Sequence, residues 1–144
     1  MNDLPKDMAH CCAPYGGPPA QGIFPKSVDT ARDARKYVRE VLSRDDDPLD
    51  PDRFDEVVLI ASELVTNAYR YGTEPGDAIL VSVLTTSTVV RVEVHDPCRT
   101  RPQLLPTSAE RGRGRGLHIV NSLARDWGSY DRPLGKAVWA EVTR

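Results

Sequence analysis

Apolar and polar positions alternate along the chain with two distinct periods. Val28, Ala31, Ala34, Val38, Val41 and Leu42 recur at three- and four-residue steps with Arg and Asp between them, which predicts an amphipathic helix capped by Ser27 or Asp29. The run 45–52 (DDDPLDPD) reads as a loop, because proline disfavours helix before itself and clustered carboxylates repel. A second helix is predicted over 53–71, stopping at Gly72 as a C-cap. Its stripe of Phe54, Val57, Val58, Ala61, Leu64, Val65 and Ala68 spans roughly 120° of arc. Glu63 and Asn67, four residues apart, share a different face, over about 90° from the stripe's centre.

The period then drops to two. Residues 78–84 are β-branched and apolar, and Val90, Val92 and Val94 alternate with Arg91, Glu93 and His95, so two strands are expected with 85–88 closing a hairpin. Residues 97–115, with Pro102, Pro106 and several arginines, form a long irregular stretch, and such a stretch inside a compact domain is usually a functional lid or disordered. A short helix over 117–124, a strand over 127–130 and a last strand over 137–143 follow, the strands joined by a turn at 132–135. Residues 1–24 carry several Pro and Gly and few large apolar groups, and are expected to form a disordered arm before one domain over 25–144. The predicted architecture is an α/β two-layer sandwich: a mixed, mainly antiparallel sheet with the helices on one face.

Composition narrows the classes. Lys plus Arg total 19 against 21 Asp plus Glu in 144 residues, so there is no basic excess to coat nucleic acid or a membrane surface. No apolar run reaches the ~18 residues of a span, and the start of the chain lacks the order of a secretory signal. A cytoplasmic protein is expected. Three cysteines, two of them adjacent, do not make a disulfide framework. The cluster His10, Cys11 and Cys12 has no second ligand pair at zinc spacing.

Chemistry concentrates in Gly112-Arg113-Gly114-Arg115-Gly116 running into a helix. Glycines let the backbone approach a ligand, and the free amides of a helix N-terminus attract an anion, so a phosphate site is one reading. A linker or an RNA-binding Arg-Gly arm is the other, and the run alone does not separate them.

The segment Glu63-Leu64-Val65-Thr66-Asn67-Ala68-Tyr69-Arg70-Tyr71-Gly72 resembles the N-box of the GHKL ATPases, the superfamily of gyrase and the histidine kinases. Asp96 at a strand end is similar to that superfamily's adenine-binding aspartate, and Gly114-Arg115-Gly116-Leu117 to its second glycine box. Gly135-Lys136-Ala137-Val138-Trp139-Ala140 resembles the closing strand of its small stand-alone members, the anti-sigma-factor serine/threonine kinases. The order and spacing agree over residues 25–144. The resemblance implies the histidine kinase-like (Bergerat) ATPase fold and a site for ATP and Mg2+. In it Asn67 supplies the metal ligand, Glu63 is the catalytic base, Asp96 selects adenine, and Gly112, Gly114, Arg115, Gly116 and Leu117 hold the phosphates. An amide oxygen suits Mg2+, which shares phosphate oxygens; a carboxylate accepts from the amino group of adenine and not from the oxygen of guanine.

Two positions depart from the pattern. Pro97-Cys98-Arg99 follows Asp96 where glycines are common, and Ala137 stands where many relatives carry threonine. The resemblance implies transfer of the γ-phosphoryl group to Ser or Thr of an anti-anti-sigma (STAS-domain) partner, with a sigma factor as a second partner and homodimerisation as a family expectation. The alternative is a nucleotide-sensing or sequestering module without transfer. A nucleic-acid binder ranks below both. His95 and His118 show no acid partner in the sequence and receive no role; Trp127 and Trp139 are expected in the core.

Overall fold

The computed structural model describes residues 18–100 and 115–144. Strand β1 (Ala20–Pro25) leads into helix α1 (Thr30–Ser43), then α2 (Pro51–Asn67), which continues as a π-helical turn over Ala68–Gly72. The hairpin β2 (Ala78–Thr85) and β3 (Val89–Asp96) follows, and after the segment outside the described residues come α3 (Arg115–Leu123), β4 (Asp126–Arg132) and β5 (Gly135–Thr143). The five strands form one sheet in the order β1-β2-β3-β5-β4. Every pairing is antiparallel, so the expected mixed sheet resolves into an antiparallel one within the α/β sandwich.

One face of the sheet is apolar. Ile79, Val81 and Val83 of β2, Val90, Val92 and Val94 of β3 and Val138, Ala140 and Val142 of β5 pack with Ala34, Val38 and Leu42 of α1, Val57, Ile60, Leu64 and Val65 of α2 and Val120 of α3 into one buried cluster. Period-two alternation turns these side chains inward together because the register pairs Val81 with Val94, Val92 with Ala140 and Val90 with Val142.

The helices begin differently from the sequence reading. The acidic run does not merely break the chain: Asp50 caps α2, its carboxylate accepting from the amides of Asp52 (2.9 Å) and Arg53 (3.3 Å), with Pro51 in the first turn. Proline costs nothing there, since its missing N–H would have been unpaired. Asp29 holds the cap position of α1 without a side-chain cap bond; its carboxylate pairs instead with Arg32 at 3.1 Å.

The assignment of 1–24 to an arm needs correction at its end. Residues Ala20–Pro25 form an edge strand, with Ala20 opposite Val83 and Pro25 opposite Ala78. Proline and glycine are tolerated there because an edge strand leaves half its backbone groups unpaired by design. Phe24 packs edge-on against Tyr37 of α1, ring centroids 5.6 Å apart, which supplies the burial that composition alone did not reveal. The rest of the arm, residues 1–17, lies outside the described residues.

The other face of the sheet is polar yet buried. Arg91 donates to Glu93 (2.9 Å) and to Glu141 (3.1 Å) and stacks on the Trp139 ring at 4.0 Å. Glu93 also accepts from the Tyr130 hydroxyl (2.7 Å) and meets the His95 ring nitrogen at 3.1 Å. His95 therefore has an acid partner two residues away on its own strand, and Trp139 belongs to this face and not to the apolar core. Trp127 does pack against that core, its indole N–H bonded to Asn121 (3.0 Å).

Burial alone would raise the Glu93 pKa, but hydrogen bonds from His95, Tyr130 and Arg91 together with the Arg91 charge hold it at about 2. Burial and the Glu93 carboxylate push Tyr130 up to about 12. Glu93 therefore stabilises the fold fully above its unfolded pKa of 4.5 and loses that contribution as pH falls towards 2. Tyr130, raised, contributes fully below 10 and loses it as pH climbs towards 12. Chemical denaturation at stepped pH should show stability falling between 4.5 and 2, by on the order of 3 kcal/mol from this group, and Glu93→Gln should be less stable at pH 7 with a flatter acid limb.

Candidate nucleotide site

The inward alternation of β3 ends on a carboxylate and that of β5 begins on an ammonium. Asp96 pairs in register with Lys136, both only 5% exposed, and Lys136 Nζ donates to Asp96 Oδ1 at 2.9 Å. The same ammonium donates to the Cys98 carbonyl (2.9 Å), while the Cys98 amide donates back to Asp96 Oδ1 (2.9 Å). The turn Asp96-Pro97-Cys98 is thus closed by an amide beyond the proline and pinned by Lys136, so the departure from glycine leaves the carboxylate held. Oδ2 accepts no hydrogen bond among the described residues. Burial pushes the Asp96 carboxyl above its ordinary range, opposed by the hydrogen bonds from Lys136 and Cys98 and by the Lys136 charge.

Two glycines close around this group. Gly72 ends the π-helical turn directly over the Asp96 carboxyl, where any β-carbon would collide with it. Gly135 has a φ of +149°, and a β-carbon there would meet the Asp96 carbonyl oxygen. Only glycine lets both turns approach so closely.

Helix α2 carries the other candidates away from this end. Counting back from Gly72 at about 1.5 Å per residue, Asn67 stands roughly 7 Å and Glu63 roughly 13 Å along the axis from the Asp96 end. Both are half-buried, and neither has a hydrogen bond or ion pair among the described residues. The reason they are not on an outer surface is Ile60, fully buried and absent from the predicted stripe. At 100° per residue Asn67 lies only about 20° from Ile60 and Glu63 about 60° from it. The buried arc is wider than the stripe because α2 is flanked by α1 on one side and α3 on the other.

Helix α3 opens at Arg115 and Gly116, and Leu117 in its first turn is 2% exposed. Leu117 is therefore a packing residue, and any part in phosphate binding would run through its backbone. Gly112 and Gly114 lie outside the described residues, so the meeting of the glycine run with Glu63 and Asn67 is not part of the description. Ala137 pairs in register with His95 and Tyr130 and so faces the polar side of the sheet. The residue turned towards Asp96 at this point is Lys136. Lys136 has no counterpart among the sequence-derived candidates, although it occupies the inward phase set by Val138, Ala140 and Val142, where a lysine is itself a signal.

Among the described residues no three His, Cys, Asp or Glu side chains gather to hold a metal. The donor set on α2 fits a magnesium ion that brings phosphate and water oxygens with it and takes one amide oxygen from the protein.

Removing one partner of a buried ion pair leaves the other uncompensated. Lys136→Met should therefore destabilise the protein by about 3–5 kcal/mol. Lys136→Met combined with Asp96→Asn should recover much of that loss, in a double-mutant cycle read by chemical denaturation.

The family model of the histidine kinase-like ATPase domain matches residues 24–142, which covers every strand from the end of β1 to β5 and all the residues just placed. No curated protein matches the chain. With a strand-end aspartate facing the helix layer, the N-box on α2 and this match over most of its length, the chain belongs to the histidine kinase-like ATPase domain family, a nucleotide-binding fold.

Proposed function

We propose that the chain is a cytoplasmic ATP-binding regulator that passes the γ-phosphoryl group of ATP to a Ser or Thr of an anti-anti-sigma (STAS-domain) partner, with a sigma factor and a second copy of itself as further partners. The observation that carries this reading is the order of groups along α2. Asp96, whose Oδ2 accepts no hydrogen bond among the described residues, stands at the Gly72 end, and Asn67 and Glu63, without hydrogen bonds or ion pairs among those residues, follow at successive turns towards the helix start. A nucleotide laid along the helix would set adenine at Asp96 and its phosphates by Asn67. Bound magnesium would spread the charge of the phosphate oxygens.

The chain's own residues do the rest. Asp96 accepts from the adenine amino group and repels the guanine oxygen. Asn67 orients the phosphate end through its amide oxygen. Glu63, one turn earlier, accepts the proton of the attacking hydroxyl as the bond to the γ-phosphorus forms and the bond to the β–γ bridging oxygen breaks. Positioning and electrostatics supply most of the acceleration in such a transfer.

Calorimetry with MgATP and MgGTP should show ATP preferred in wild type and the preference lost in Asp96→Asn. Glu63→Gln should bind ATP as wild type does while transfer to a STAS-domain substrate falls by at least about 100-fold. No ATP binding at millimolar nucleotide would overturn the reading. Binding without any transfer in wild type would leave a nucleotide-sensing or sequestering module in its place.

A further inference from the structure

Lys26 sits between β1 and α1, far in sequence from every motif of the site. Its ammonium donates to the carbonyl oxygens of Tyr69 (3.0 Å) and Thr73 (2.6 Å) and lies 4.8 Å from the centre of the Tyr69 ring. Both carbonyls belong to the π-helical turn and the residue that leaves it. A π turn is rare and its wide ring leaves carbonyls without the helical partners they would have in an α-helix. Thr73 serves two of them from within, its hydroxyl lying 3.2 Å from the Ala68 carbonyl and 2.9 Å from that of Tyr69. Lys26 serves the same end from a different element, with a charge that complements the C-terminal end of the helix.

Gly72 lies between Tyr69 and Thr73 and touches the Asp96 carboxyl. Whatever fixes the two carbonyls also fixes how closely that glycine packs on the carboxylate. We infer that Lys26 is a positioning residue for nucleotide recognition, setting the Gly72–Asp96 gap through the π-helical turn. This rests on the reading of Asp96 as the adenine acceptor.

Calorimetry with MgATP and MgGTP on wild type, Lys26→Met and Lys26→Arg, alongside thermal melting, tests it. In Lys26→Met the affinity for MgATP falls about tenfold, as expected for losing charge-assisted bonds that hold a binding group, and the ATP-over-GTP preference shrinks by a similar factor. Lys26→Arg, which keeps charge and donors, restores both. If Lys26→Met does not fold, Lys26→Gln, with a neutral donor and a shorter reach, must show the same pattern. The inference is overturned if MgATP affinity stays within about twofold of wild type, or if ATP and GTP weaken equally, as a general loss of stability would cause. A wild type that binds no ATP defeats the underlying nucleotide reading, whereas wild-type binding with unchanged variants defeats this inference alone.

Discussion

The structure is organised around one buried carboxylate that must be compensated. Asp96 ends the central strand β3 facing the helix layer, and a charge in that position is tolerable only with a cation and hydrogen-bond donors on it. Lys136 supplies the cation because the β3–β5 register places it directly opposite, and its bond to the Cys98 carbonyl ties down the chain beyond the strand. Gly72 then brings the helix end onto the carboxyl, and Gly135 brings the β4–β5 turn onto the backbone carbonyl of the same residue. Three turns from distant parts of the sequence converge on one residue, whose Oδ2 accepts no hydrogen bond among the described residues.

The two faces of the sheet solve burial by different means. Away from the Asp96–Lys136 pair at its end, the helix face is filled by aliphatic side chains, valine above all. The opposite face buries a guanidinium, and its cost is offset by two carboxylates and by the Trp139 ring beneath it. Gly128 makes room for that ring, since its β-carbon would stand 3.1 Å from the indole. Among the described residues the Arg91 Nη2 and Trp139 Nε1 donors nonetheless remain buried without hydrogen-bond partners. The network is therefore less than fully satisfied, which makes its ionisation state matter more to stability than that of a surface pair.

What the sequence disclosed and what it hid follow from how local each signal is. Alternation in β2, β3 and β5 is a property of neighbouring residues, so those strands and the inward set of valines were legible. The place of Asp96 at the end of β3 belongs to the same alternation and was legible too. The edge strand β1 was not, because its support comes from pairing with β2 and from Tyr37 of α1, neither of which leaves a mark on residues 20–25. Ile60 looked like an off-stripe residue because the stripe was drawn for a helix with one buried side, whereas α2 has α1 and α3 on either flank. The Asp50 cap was hidden by reading proline only as a breaker. Lys26 acts entirely across the fold from a connecting segment with no periodicity to give it away, whereas Lys136 stands in the inward phase of β5, a signal that only the pairing with Asp96 explains.

The same distinction bears on how the site functions as a unit. The Asp96 end is built from strand ends and glycines around a buried ion pair, its carboxylate held by Lys136 and by the Cys98 amide. Asn67 and Glu63 make no hydrogen bond or ion pair among the described residues, so the helix that carries them sets where they stand. Their placement therefore depends on α2 as a rigid body, fixed on one flank by α1, on the other by Val120 of α3, and at its end by the π-helical turn resting on Asp96. Helix α2 is the element that connects the Asp96 end with Asn67 and Glu63.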